Sequence, residues 1–205
     1  LSRDLKITQK TAWYILQKIR TCLICKNKGK LDGEVECDET FVGGKNKNRH
    51  KNKKVKNSQG RSFKDKTRML QRKGDVICRV VENTSQYEIT PNILKFVEFS
   101  SILYTDEWQG YNDIAEIYTR FSVDHSKKQF VDGDIYTNTI EGFWSILKRG
   151  IIGIYHHMSK KHLQLYANEF AFRYNTRQIS EGSRFKLFLC NAEKKLTYQN
   201  IIAVA

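Results

Sequence analysis

The sequence has no run of about 18 or more apolar residues and no charged-then-apolar stretch at its start, so neither a membrane-spanning helix nor a secretory signal is supported. A cytoplasmic or nucleoid-associated location without membrane contact is expected. Cysteine is sparse and odd in number: Cys22, Cys25, Cys37, Cys78 and Cys190 are scattered over 205 residues. That set argues against a disulfide framework and for reduced thiols. Cys22 and Cys25 have the spacing of half a zinc knuckle, but no second pair completes four ligands. The first residue is Leu1 and not a methionine, so an upstream segment is expected. Acids are also in short supply, 22 Asp and Glu against 36 Lys and Arg, for a net charge of +14.

A surplus of that size calls first for a polyanionic partner. Its placement is uneven. Residues 45–73 hold 13 basic residues and one acid, which leaves the rest of the chain at only +2. This stretch is too polar to pack a core and reads as a flexible loop, with Lys45, Lys47, Arg49, Lys51, Lys53, Lys54 and Lys56 as DNA-backbone contacts. A solubilising surface loop or a localisation-like patch is the alternative reading. The remainder is 40% hydrophobic overall, enough for one main domain with small appendages.

Apolar periodicity supplies the elements. After Thr8, a capping residue, Ala12, Ile15, Leu16 and Ile19 recur at helical spacing and would suit the second half of a helix-turn-helix. From Glu34 to Val42 the residues alternate, Val35, Cys37 and Phe41 facing one way and Glu36, Asp38 and Thr40 the other. Strand-like runs follow at Val76 to Glu82 and up to Asp106, with a helix expected to open at Pro91, a short helix after Gly110, and a further strand near FSVDHS. Strands alternating with helices predict a mixed α/β sheet with helices on its faces. In TNTIEGFWSILKRGI, Ile140, Phe143, Trp144 and Leu147 form a helical stripe, with Glu141 and Lys148 about 100° and 80° around from Ile140. A last helix with Ser159 as its cap carries Leu163, Tyr166, Ala167, Phe170, Ala171 and Tyr174 on one face.

Three carboxylates stand where chemistry would favour them: Asp38 in the first strand, Asp106 at a strand's C-terminal end, and Glu141 early in a helix. Oxygen ligands suit magnesium, and two such ions about 4 Å apart can activate an attacking hydroxyl and stabilise a leaving oxygen. Surface acids with no role are the bland reading of any one of them. His156, His157 and His162 lack a completing Cys or acid and read as hydrogen-bonding residues. Trp108, Tyr111 and Trp144 read as core or rim aromatics. Cys37 points away from Asp38 and is not a nucleophile.

The segments VECDETFVGGK, LYTDEWQGY, VDHSKKQFV and YTNTIEGFWSILKRGIIGIYHHMSKKHLQLYANEFAFRYNTR resemble, in order and wording, the ISXO2-like group of DDE insertion-sequence transposases, from about Leu1 to Arg177. The resemblance implies an RNase H-like fold, a catalytic acidic triad and magnesium dependence with manganese as a substitute. It also implies cleavage and strand transfer of DNA at element ends by a homo-oligomer on DNA. Carried onto this sequence, the triad falls on Asp38, Asp106 and Glu141, with Lys148 and its neighbour Arg149 on DNA. Members vary at the third acid, some having Asn, which makes Asn138 the alternative third ligand; His125 would lie near the site. The implied division is a helix-turn-helix remnant at 1–30, a catalytic domain at 31–180 that includes the basic loop, and a tail at 181–205. Two departures stand out. The family's zinc ribbon is not in this sequence, and KTRMLQRKGDV reads as a strand shortened before Met69, which would leave the Asp38 strand partly unpaired. A non-catalytic DNA-binding protein, an inactive decayed copy and a metal-dependent nuclease are the competing readings.

Overall fold

A computed structural model describes residues 1–24, 29–42, 66–72, 74–81, 85–123, 138–156, 158–192 and 197–199; for Phe41, Asn138 and residues 66–72 it describes the backbone alone. Cys25, His125, His157 and the basic residues from Lys45 to Lys56 therefore lie outside the described residues. In chain order the helices and strands are α1 (Gln9–Cys22), β1 (Glu34–Phe41), β2 (Lys66–Arg72), β3 (Val76–Arg79), α2 (Gln86–Phe96), β4 (Ile102–Asp106), β5 (Thr119–Val123), α3 (Asn138–Gly150), α4 (Leu163–Asn175) and α5 (Glu181–Cys190). The chain divides into two compact units, Gly29–Met158 and Leu1–Lys28 with Ser159–Ala205.

The first of these units is built on one five-stranded sheet in the order β3-β2-β1-β4-β5. β1 and β2 are antiparallel, as are β2 and β3, whereas β4 runs parallel to β1 and β5 parallel to β4. This is the mixed α/β sheet that the alternation of strands and helices predicts. The central strand β1 is covered on both faces. Val35 and Cys37 join Ile89 and Ile93 of α2, Val97, Leu103, Tyr111 and Ile114 in one apolar cluster. On the opposite face Glu36 and Thr40 are buried as well, and α3 docks there with Ile140, Phe143, Trp144 and Leu147 all buried. The stripe read from sequence is the face that packs.

In this unit four expectations change. Lys66–Arg72, expected to be the end of a flexible loop, is the strand β2. β2 pairs with β1 from Val35 opposite Arg72 to Phe41 opposite Lys66, so no shortening before Met69 leaves β1 short of a partner. α2 opens at Gln86 after Ser85, and Pro91 sits inside it. A proline there removes one helical hydrogen bond. The residue whose carbonyl loses that partner, Tyr87, is 81% exposed, where water can replace it. The short helix after Gly110 is a 3₁₀ turn, Gln109–Glu116.

In the second unit the Thr8 hydroxyl caps α1 by accepting from the Thr11 N–H at 3.1 Å. Residues before it make a single turn, with Leu5 N–H donating to the Leu1 carbonyl. The buried face of α1 differs from the apolar stripe: Leu16 and Ile19 are each 36% exposed, while Gln17 and Arg20 are buried. The cause is α4, which offers Arg20 a carboxylate at 2.8 Å from Glu169 and the Tyr166 ring at 4.0 Å. α4 buries Leu163, Tyr166, Ala167, Phe170 and Ala171 of the expected face, leaves Tyr174 half-buried, and buries Glu169 and Phe172 as well. Ser159 precedes a 3₁₀ turn, Lys160–His162, and makes no side-chain cap bond. α5 is capped by Ser180, whose hydroxyl accepts from Ser183 N–H at 3.3 Å.

Candidate active site

Parallel pairing brings the C-terminal ends of β1 and β4 together. Cys37 lies opposite Thr105, so Asp38 and Asp106 are the next residues on neighbouring strands. One carboxylate oxygen from each of Asp38, Glu39 and Asp106 lies within 4.8 Å of the others. Such an all-oxygen set fits a hard divalent cation.

Each acid is held by its own element. The Asp38 carboxylate accepts the Glu39 backbone N–H at 2.6 Å on Oδ1 and the Trp144 indole N–H at 2.8 Å on Oδ2. Burial pushes its pKa up and outweighs the lowering by those two bonds; the charges of Asp106 and Glu141 push it up further. A buried carboxyl among like charges is an environment that a cation would relieve. The Asp106 Oδ1 accepts the backbone N–H of Trp108 at 3.1 Å, while its carbonyl accepts from Arg120 of β5 at 3.0 Å. The same guanidinium donates to the Thr105 hydroxyl at 2.8 Å, tying the end of β4 to β5.

Glu141 is exposed in the first turn of α3, close enough for its charge to be felt at Asp38, but the tight group of oxygens contains Glu39 in its stead. Asn138 is the first residue of α3. Lys148 and Arg149 are exposed in the last turn of that helix, and the Arg149 guanidinium donates to the Ser145 carbonyl at 3.3 Å. The N-terminus of α3 meets β1 through the buried Glu36, whose Oε2 accepts the Ile140 backbone N–H at 3.0 Å. Sequence reading passed over Glu36, Glu39, Trp144 and Arg120 as contributors to the site. The run from Glu34 to Glu39 was the available signal for the first two, since four acids in six residues of one strand exceed what solubility needs.

Other candidates resolve into packing. Cys37 is buried and burial raises its thiol pKa far above the ordinary range, so it stays protonated. His162 stacks edge-on against Trp13 at 5.3 Å, and burial lowers its pKa. The exposed His156 ring meets the Ile152 carbonyl at 2.8 Å. Tyr111 is buried and Trp108 is partly exposed. Among the described residues no helix is long and apolar enough to cross a membrane.

The ISXO2-like transposase domain matches residues 30–175. An uncharacterized transposase-like protein of Haemophilus influenzae is 32% identical over 102 residues, 49% of this chain and 80% of that protein. An uncharacterized protein in transposable element ISH50 of Halobacterium salinarum is 24% identical over 186 residues, 84% of this chain and 62% of that protein. Among solved structures, the HTLV-2 integrase catalytic core domain in complex with magnesium, in its trimeric form, aligns with a TM-score of 0.38 at 12% identity, covering 78% of this chain and 99% of that one.

Proposed function

The chain belongs to the ISXO2-like transposase family, whose domain spans residues 30–175, and from that premise we propose that Asp38, Asp106 and Glu141 form the acidic triad with which it cuts and joins DNA at the ends of an insertion sequence. The observation that carries this reading is the meeting of carboxylate oxygens from Asp38, Glu39 and Asp106 within 4.8 Å at neighbouring strand ends. When bound, magnesium, with manganese as a substitute and two ions as the full complement, supplies Lewis-acid activation of a hydroxyl or water and charge stabilisation of the leaving oxygen.

The chain's own residues do the rest. Asp38 and Asp106 would hold the cation, Glu141 would complete the set from α3, with Asn138 as the alternative, and Glu39 offers a further oxygen in the group with Asp38 and Asp106. Lys148 and Arg149, exposed about two turns beyond Glu141, grip the DNA backbone. Lys45, Lys47, Arg49, Lys51, Lys53, Lys54 and Lys56 add affinity that is independent of sequence. A homo-oligomer on DNA brings element ends and target together in the nucleoid. The chemistry is assigned to the unit Gly29–Met158, whereas the sequence expectation extended the catalytic domain to residue 180.

The test is strand transfer of pre-cut element ends in magnesium by wild type, Asp38→Asn, Asp106→Asn and Glu141→Gln. Loss of joining in all three variants, with DNA binding retained, supports the reading. Hydrolysis without joining by the wild type would make the protein a nuclease. Full joining by Asp38→Asn would remove Asp38 from the triad, and binding without any joining or hydrolysis by the wild type would leave a DNA-binding protein whose acids are structural.

A further inference from the structure

We propose that Trp144 is a positioning residue for Asp38: its indole N–H fixes the carboxylate in the orientation that takes a cation, so that seating of α3 on the sheet and the metal capacity of β1 are one event. The inference rests on the catalytic reading above.

Indole nitrogen donates and never accepts, so a buried tryptophan needs an acceptor. Trp144 is 4% exposed and its Nε1 lies 2.8 Å from Asp38 Oδ2. The other oxygen, Oδ1, takes the Glu39 N–H at 2.6 Å. Two donors on two different oxygens stop the carboxylate from turning about its own axis, while each oxygen keeps a lone pair for another partner. Packing by itself asks for no N–H at this place. The neighbouring Phe143, fully buried with its ring 5.8 Å from that of Trp144, fills the same layer with hydrocarbon alone. Chain order adds a second constraint. Trp144 follows Glu141 by three residues in α3, so the helix that carries the proposed third acid also carries the group that aims the first. Partners that orient a ligating carboxylate typically contribute about 10- to 100-fold in metal affinity or activity.

The experiment compares wild type, Trp144→Phe and Asp38→Asn, with magnesium binding followed by calorimetry and by the indole N–H signals in nitrogen-15 NMR. The chain has three tryptophans. Trp13→Phe and Trp108→Phe assign the Trp144 signal by elimination and leave Trp144 in place, so this readout survives even where Trp144→Phe fails to fold. The expected result is a Trp144 indole signal that moves with magnesium saturation in the wild type and stays still in Asp38→Asn. Trp144→Phe is expected to bind magnesium about 10- to 100-fold more weakly, with kcat for strand transfer reduced and KM for DNA unchanged. Magnesium affinity in Trp144→Phe within twofold of wild type, or a Trp144 signal indifferent to magnesium while Asp38→Asn abolishes binding, overturns the inference and spares the catalytic reading. Magnesium binding that is unchanged in Asp38→Asn removes the catalytic reading and this inference with it.

Discussion

The Glu36 carboxylate accepts a 3.0 Å hydrogen bond from the backbone N–H of Ile140, across 104 residues of chain. Helix N-termini leave their first N–H groups without intrahelical partners, and this one is buried beneath α3, where water cannot substitute. Glu36→Ala is therefore expected to destabilise the unit by about 1 to 3 kcal/mol, the usual cost of a buried donor left unmet. Glu36→Gln keeps an acceptor oxygen and should lose less. Urea unfolding of both variants, together with amide exchange at Ile140, checks the order; equal losses would show that the acceptor is irrelevant.

Glu169 lies between two arginines of unequal burial. Its Oε2 meets Arg20 Nε at 2.8 Å with both side chains under 10% exposed, and its Oε1 meets Arg173 at 2.9 Å, whose side chain is 68% exposed. Breaking a buried pair leaves a charge without compensation, at roughly 3 to 5 kcal/mol, whereas exposed pairs contribute about 0 to 1. Arg20→Ala should thus destabilise far more than Arg173→Ala. Thermal or urea unfolding that ranks the two variants equally would contradict this account.

Asp38 predicts a stability that depends on pH in an unusual direction. Its folded-state pKa is raised above the ordinary 3.8, chiefly by burial. A raised acid binds its proton more tightly when folded, so its contribution is favourable below pH 3.8 and is lost as pH climbs through the folded value. In metal-free protein, the stability of wild type relative to Asp38→Asn should therefore fall as pH rises from 3.8, on top of a constant offset for the acceptor that the amide lacks opposite Glu39 or Trp144. Unfolding curves of both proteins from about pH 3 to 8 measure it directly. A difference between the two that does not change with pH would show that the charged form is welcome in the apo site.

Charge in the stretch 45–73 makes a prediction about salt. Each lysine that neutralises a phosphate releases counterions, so replacing Lys51, Lys53, Lys54 and Lys56 with Gln should reduce the log–log salt slope on duplex DNA by about 0.9 for every phosphate no longer neutralised. An unchanged slope in that variant would remove this stretch from the binding surface.

Much of the fold was legible because periodicity reports burial. The stripe Ile140, Phe143, Trp144 and Leu147 packs as its spacing requires, and in β1 Val35 and Cys37 enter the apolar cluster while Glu36 and Thr40 are buried apart from it. What could not be read was the chemistry of the opposing surface. α1 buries Gln17 and Arg20 over Leu16 and Ile19 because Glu169 and Tyr166 wait on α4, 149 residues away. Pro91 signals a helix start by local rule, but Ser85 and the packing of Ile89 and Ile93 set the start a turn and a half earlier. At the site, the meeting of Asp38 with Asp106 follows from the parallel register of β1 and β4. The roles of Glu36 and Trp144 follow from how α3 lies on β1, and no spacing along the chain encodes that.

The two units differ in how they are threaded. Gly29–Met158 is one continuous stretch, while its companion joins Leu1–Lys28 to Ser159–Ala205. On the ribosome, where elongation proceeds at about 5 to 20 residues per second, the continuous unit has all its strands before α4 exists. During that interval Arg20 has emerged but Glu169 has not been made. Until α4 is made, the face of α1 that carries Gln17 and Arg20 stays in water, so the discontinuous unit assembles only after residue 169 has been synthesised, when the sheet of the continuous one is already complete.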